Sequence, residues 1–150
     1  MTFEHELGVK PLGSEVELGR GADGIVVEVE GHPELVIKDM NHPFRLGRNR
    51  IHLEQRILSA VLEETKGVGA TRVFNLGTDE SEKSWLIRER VFDVFPRGSQ
   101  ESRELLINSI LQVHPNADVN RLMLPDPTFD NVRWGYTEAL PEPRWILIDP

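Results

Sequence analysis

The sequence predicts an α+β fold, and three observations carry that prediction. Short alternating apolar segments with turn residues between them fill most of the first hundred positions. A Pro96-Arg97-Gly98-Ser99 connector then breaks the pattern. Beyond it lies a smaller helical part that ends in a hairpin, so strands and helices are segregated rather than alternating. The 150 residues suit one domain with a substantial core, because chains of this size bury roughly 70% of their unfolded surface.

Val16 to Leu18 and Ile25 to Glu30 read as two strands joined by a glycine-rich loop, the second alternating Val27-Glu28-Val29-Glu30. Gly31-His32-Pro33-Glu34 supplies a turn, and Leu35 to Met40 a more buried strand. Asn41 to Gly47 reads as irregular, with Pro43 and Gly47 as breakers. Asn49 to about Glu64 is the clearest helix: Ile51, Ile57, Leu58, Val61 and Leu62 share one arc of the wheel. Thr71 to Leu76 and Ser84 to Val91 are the next strands, across the charged turn Thr78 to Lys83. After the connector come a helix from about Glu101 to Val113 and a short one from Ala117 to Met123. Asn131 to Trp134 and Trp145 to Ile148 close as a hairpin around Gly135 to Pro143.

Composition narrows the function. A net charge of −8 argues against nucleic acid as the main partner, since phosphate backbones need a basic face. There are no cysteines, which excludes disulfides and thiol chemistry. His5, His32, His42, His52 and His114 show no paired ligand spacing, so no structural zinc is expected. No apolar run is long enough to span a membrane, and the acidic start lacks the layout of a secretory signal.

Five features could carry chemistry. Gly19, Gly21 and Gly24 sit between two strands, where backbone N–H groups can approach phosphate oxygens without a Cβ in the way. Asp23 at the tip opposes an anionic ligand, and Arg20 offsets it. Lys38 follows Leu35-Val36-Ile37 on a core strand and needs water or an acid. Glu54 lies at the centre of the helix's apolar arc, between Val61 and Leu58, where a carboxylate needs a cation; Lys38 is the obvious one. Asp126 and Asn131 lie five apart on a loop that Leu122-Met123-Leu124 before it and Val132 after it would anchor in the core. Asp149 ends the apolar strand Trp145-Ile146-Leu147-Ile148, and with Asn131 it would satisfy the preference of magnesium for few carboxylates plus phosphates. Each of these taken singly also has an ordinary structural reading, as a turn glycine, an edge lysine or a solvated carboxylate.

In this order the features resemble protein kinases, from the glycine loop to the final Asp, about residues 16 to 150. Leu124-Pro125-Asp126-Pro127-Thr128-Phe129-Asp130-Asn131 and Leu147-Ile148-Asp149-Pro150 look closest to minimal bacterial type III effector kinases of the HopBF type, with the OspG type as a relative. The resemblance implies a single minimal kinase domain over 1–150. Its N-lobe of about 1–95 would hold a five-stranded sheet and one helix, with a hinge over about 89–99 and a reduced C-lobe over about 100–150. It implies ATP and Mg as cofactors, with Gly19, Gly21, Gly24, Val26 and Val36 around the nucleotide. Lys38, paired with Glu54, would hold the phosphates, and the backbone of Glu89 and Val91 would meet adenine. Asp126 would be the catalytic base, with Asn131 and Asp149 on the metal.

The departures from the kinase pattern are specific. Leu124-Pro125 replaces the usual His-Arg, Thr128 the loop lysine, Pro150 the Phe-Gly, and Val36 the smaller alanine. With no activation loop after Asp149, regulation by loop phosphorylation is not expected. By resemblance the protein would enter a host cell's cytoplasm and phosphorylate a host protein, the Hsp90 chaperone, on Ser or Thr. The OspG type implies a ubiquitin-conjugating enzyme instead. The alternatives are a nucleotide-binding pseudokinase or interaction module, and a small-molecule phosphotransferase of the aminoglycoside type, for which the chain lacks a helical acceptor domain.

Overall fold

The computed structural model describes residues 10–20, 24–78, 83–117 and 131–148. They form an α+β protein with two compact units, Met1–Gln55 with Val73–Arg90 and Arg56–Arg72 with Val91–Pro150. Among the described residues no helix is long and apolar enough to cross a membrane.

The first unit is built on an antiparallel sheet of five strands in the order β1-β2-β3-β5-β4. These are β1 (Gly13–Arg20), β2 (Gly24–Val29), β3 (His32–Pro43), β4 (Val73–Thr78) and β5 (Lys83–Glu89). Alternation along β3 and β5 divides the apolar side chains between two faces. Leu35, Ile37, Trp85 and Ile87 join Val29 on one face, with Val27 against them. Met40 and Leu86 join Ile51 of helix α1 (Phe44–Glu64) on the other, flanked by Val73 and Leu76. Burying each such side chain stabilises the fold by about 1.5–3 kcal/mol.

Local chemistry explains where the elements depart from expectation. The turn after β2 is confined to Glu30 and Gly31, whose φ of +78° suits glycine, and β3 already begins at His32. Pro33 is accommodated because the register slips between Glu28 and Val29, where the ladder needs no N–H from it. Asn41 to Gly47 is not irregular: β3 continues to Pro43 and α1 starts at Phe44. Proline directly before a first helical turn withholds an N–H that would have no partner there. Gly47 costs about 1 kcal/mol relative to alanine, which a helix of 21 residues absorbs.

The second unit centres on a three-stranded antiparallel sheet, β6 (Phe92–Asp93), β7 (Val132–Tyr136) and β8 (Arg144–Leu147), in that order. The expected hairpin is β7–β8. The two-residue β6 is an addition, held by stacking of Phe92 on Tyr136 at 5.3 Å and by the Arg133–Asp93 ion pair at 3.0 Å. Helix α2 (Gln100–Val113) is capped by Ser99, whose Oγ accepts from the Ser102 N–H at 3.2 Å. It buries Arg103, Leu106, Ile107 and Ile110, a one-sided stripe at helical spacing. Ile57, Leu58 and Val61 from the later part of α1 are buried too. The α1 C-terminus closes with Lys66 and Gly67 at positive φ, the Gly67 N–H reaching the Leu62 carbonyl at 2.6 Å. From position 118 onward the expected Ala117–Met123 helix lies outside the described residues.

Arg144 ties the β7–β8 loop together. Its Nη1 donates to the Leu140 carbonyl at 2.9 Å, its Nη2 to Thr137 Oγ1 at 3.2 Å, and its Nε to the Val68 carbonyl at 2.6 Å. Thr137 is fully buried, so removing the fork strands polar groups of the loop. Arg144→Ala is expected to lower unfolding free energy by about 1–3 kcal/mol in urea titrations. Arg144→Lys should recover only part, because an ammonium cannot reproduce the planar fork.

Candidate functional site

Lys38 sits on the central strand of the first unit, directly opposite Val26 on β2 and Leu86 on β5. Facing residues of an antiparallel pair share one side of the sheet, and here that side carries α1. Glu54 comes up from α1 one turn after Ile51, which anchors the helix against Met40 and Leu86. The Lys38 ammonium donates to both carboxylate oxygens of Glu54, at 3.0 Å to Oε1 and 3.1 Å to Oε2. Their side chains are 3% and 1% exposed. Two full charges have been taken out of water and set against each other.

That pair decides how the site is read. Desolvating two ions costs several kcal/mol each, and apolar residues of like volume commonly serve stability as well or better. The pair therefore adds little to the fold that leucine and methionine would not. What it does supply is a lysine head held at one point, with its carbon stem locked in the sheet.

Of the remaining expected residues of the first unit, Val36, Val26, Gly19, Gly24 and Glu89 lie on the same sheet as Lys38. Val36, 1% exposed, lies one row along β3 between Glu28 and Arg88. Val26 is half-buried. Gly19 pairs with Val26, and a Cβ there would meet nothing within 4 Å among the described residues. Gly24 is different: a Cβ would lie 2.1 Å from the Asp39 carbonyl oxygen, so close strand approach already requires glycine. Gly21 lies outside the described residues, although Arg20 and Ile25 on either side of that loop are paired. Glu89 ends β5 opposite Leu35, and its carbonyl accepts from Arg88 Nη1 at 3.1 Å. The strand thus stops short of Val91. Arg90 follows, its N–H on the Glu34 carbonyl at 2.8 Å and its guanidinium on Glu28 at 2.8 Å.

In the second unit Val91 is half-buried and Asn131 is 4% exposed. The Asn131 carbonyl accepts from the Ile148 N–H at 2.9 Å, so the residue before Asp149 is tied to Asn131. The other edge of β8 is clasped by residues 69–71. Leu147 donates to the Gly69 carbonyl at 2.8 Å, and its own carbonyl accepts from the Thr71 N–H at 3.1 Å. Thr71 therefore closes this clasp, and β4 begins only at Val73. Asp126 and Asp149 lie outside the described residues. No group of three or more metal-binding side chains occurs among the described residues.

Sequence reasoning found the Lys38–Glu54 pair because Glu54 broke the helix's apolar stripe. It missed the Gly69–Thr71 clasp, which is made by backbone groups and leaves no side-chain signature. It also passed over Arg88, whose signal was a basic residue inside a strand that is buried from Ser84 to Glu89. The chain matches no protein-family model and no curated protein.

Proposed function

We propose that the protein is a minimal Ser/Thr protein kinase that uses Mg-ATP, and the observation that carries this reading is the buried, bidentate Lys38–Glu54 pair. Phosphoryl transfer demands little covalent chemistry from a protein; it demands fixed positive charge where the phosphates lie. A lysine immobilised by a glutamate from the neighbouring helix supplies that charge without reorganising. Gly19 supports the same reading, since neither its backbone conformation nor a described neighbour requires glycine there. A bare backbone is useful where phosphate oxygens approach.

In this reading Lys38 meets the α- and β-phosphates, the loop of Gly19, Gly21 and Gly24 covers them, and Val26 and Val36 bound the base. The backbone of Glu89 and Val91 offers it hydrogen bonds. Asp126 orients the acceptor hydroxyl and takes its proton. Magnesium prefers oxygen ligands, and the buried Asn131 amide beside the end of β8, with Asp149, fits that donor set. Bound there, the ion would neutralise charge on the transferring phosphoryl group. The resemblance to bacterial effector kinases extends the proposal to a host protein substrate, the Hsp90 chaperone first and a ubiquitin-conjugating enzyme second.

Incubating the chain with Mg²⁺, γ-labelled nucleotide and a eukaryotic lysate tests the reading. Label should appear on a host protein of about ninety kilodaltons and vanish with Asp126→Asn. A nucleotide that raises thermal stability with no transfer to any protein would instead establish a pseudokinase.

A further inference from the structure

The strand that leads to Asp149 is held from the end of a helix. Thr65, directly after α1, uses its hydroxyl twice: it donates to the Val61 carbonyl at 2.7 Å and accepts from the Gly69 N–H at 2.8 Å. The Gly69 carbonyl in turn accepts from the Leu147 N–H at 2.8 Å. Leu147 offers its own carbonyl to Thr71 at 3.1 Å, so Ala70 and Leu147 form a parallel bridge. One residue on, Ile148 donates to the Asn131 carbonyl at 2.9 Å on the opposite edge. All of these residues belong to the second unit. Hydrogen bonds therefore run without a break from the last turn of α1 to the end of β8.

A threonine bonded to the carbonyl four residues back is ordinary at a helix end. Gly69 sets this one apart. It lacks the positive φ of Gly67, so turn geometry does not call for glycine there. A Cβ at position 69 would instead lie 2.6 Å from Thr65 Cγ2 and 2.7 Å from Thr65 Oγ1. The absent side chain is what lets the backbone come this close to the hydroxyl. Gly69 is also buried, so its N–H could not turn to water if that oxygen were removed.

Resting on the kinase reading, we infer that Thr65 is a positioning residue for the magnesium site of Asn131 and Asp149. Its hydroxyl fixes Gly69, and Gly69 fixes the strand whose other edge is tied to Asn131. Thr65→Val keeps the shape and removes the hydroxyl. It should raise the free Mg²⁺ needed for half-maximal single-turnover transfer by roughly tenfold, as expected when a group that orients metal ligands is lost. Thr65→Ser keeps the hydroxyl and should stay within about twofold of wild type in the same titration. With neither metal nor nucleotide present, deuterium exchange at Gly69 and Leu147 should quicken up to about tenfold in Thr65→Val, the effect of losing one hydrogen bond. The Val94 amide, bonded to the Trp134 carbonyl at 3.1 Å, should exchange as in wild type. If Thr65→Val does not fold, Gly69→Ala crowds the same hydroxyl and should reproduce both effects.

A wild-type Mg²⁺ dependence in folded Thr65→Val overturns the inference and leaves the kinase reading standing. So does equal quickening at Val94, which marks general loosening, or a Thr65→Ser protein as impaired as Thr65→Val. A wild-type chain that transfers no phosphoryl group at any Mg²⁺ concentration overturns the kinase reading, and the role of Thr65 with it.

Discussion

Glu54→Ala is expected to destabilise the protein by about 3–5 kcal/mol, among the largest effects available from a single substitution. The variant leaves the Lys38 ammonium, 3% exposed, without the carboxylate that it contacts at 3.0 and 3.1 Å. It also leaves a void where a side chain only 1% exposed had been. The double variant Lys38→Met/Glu54→Leu removes both charges and refills most of the volume, so it should recover much of the loss. Guanidinium titration of the wild type, both singles and the double closes this cycle. A Glu54→Ala protein within about 0.5 kcal/mol of wild type, the range of an ordinary surface change, would show that the pair is not desolvated.

Phosphoryl transfer should fall by roughly 10²–10³-fold or more in Lys38→Met, the loss expected when one preorganised charge is withdrawn from a transition state. On the proposed kinase reading, in which Asp149 would hold the metal, Asp149→Ala should do the same. Single-turnover labelling from a γ-labelled nucleotide measures both. The Lys38→Met/Glu54→Leu double variant is the decisive control. It should be folded and still inactive, which separates the pair's chemical role from its structural one. Transfer within twofold of wild type in Lys38→Met and Asp149→Ala alike would dismiss both assignments.

The sheet of the first unit was largely legible, because β2, β3 and β5 carry the alternation that pleated strands impose. Breakers were the weak point. Pro33 and Pro43 were read as turn and loop, yet one sits at a register slip and the other directly before α1, both places where a missing N–H costs nothing. Strand β6 could not be read locally, since two residues have no periodicity and depend on Tyr136 and Gly135 across the ladder. The strand expected from Thr71 to Leu76 begins only at Val73, because backbone bonding draws Thr71 to Leu147 instead. Of the candidate site, Glu54 was legible as a charge in the wrong place. The Arg88–Glu89 contact was not, because it depends on a side chain folding back onto its neighbour's carbonyl.

The clasp on β8 has a use in solution. The Leu147 and Ile148 amides donate to the Gly69 and Asn131 carbonyls at 2.8 and 2.9 Å, one on each edge of the chain leading to Asp149. In deuterium oxide these two protons should be among the last in the second unit to be replaced, because releasing them requires opening the strand itself. They would serve as paired reporters: ligand-induced slowing at both, with none at the β7–β8 loop tip, would register occupancy at the neighbouring aspartate without any assay of turnover.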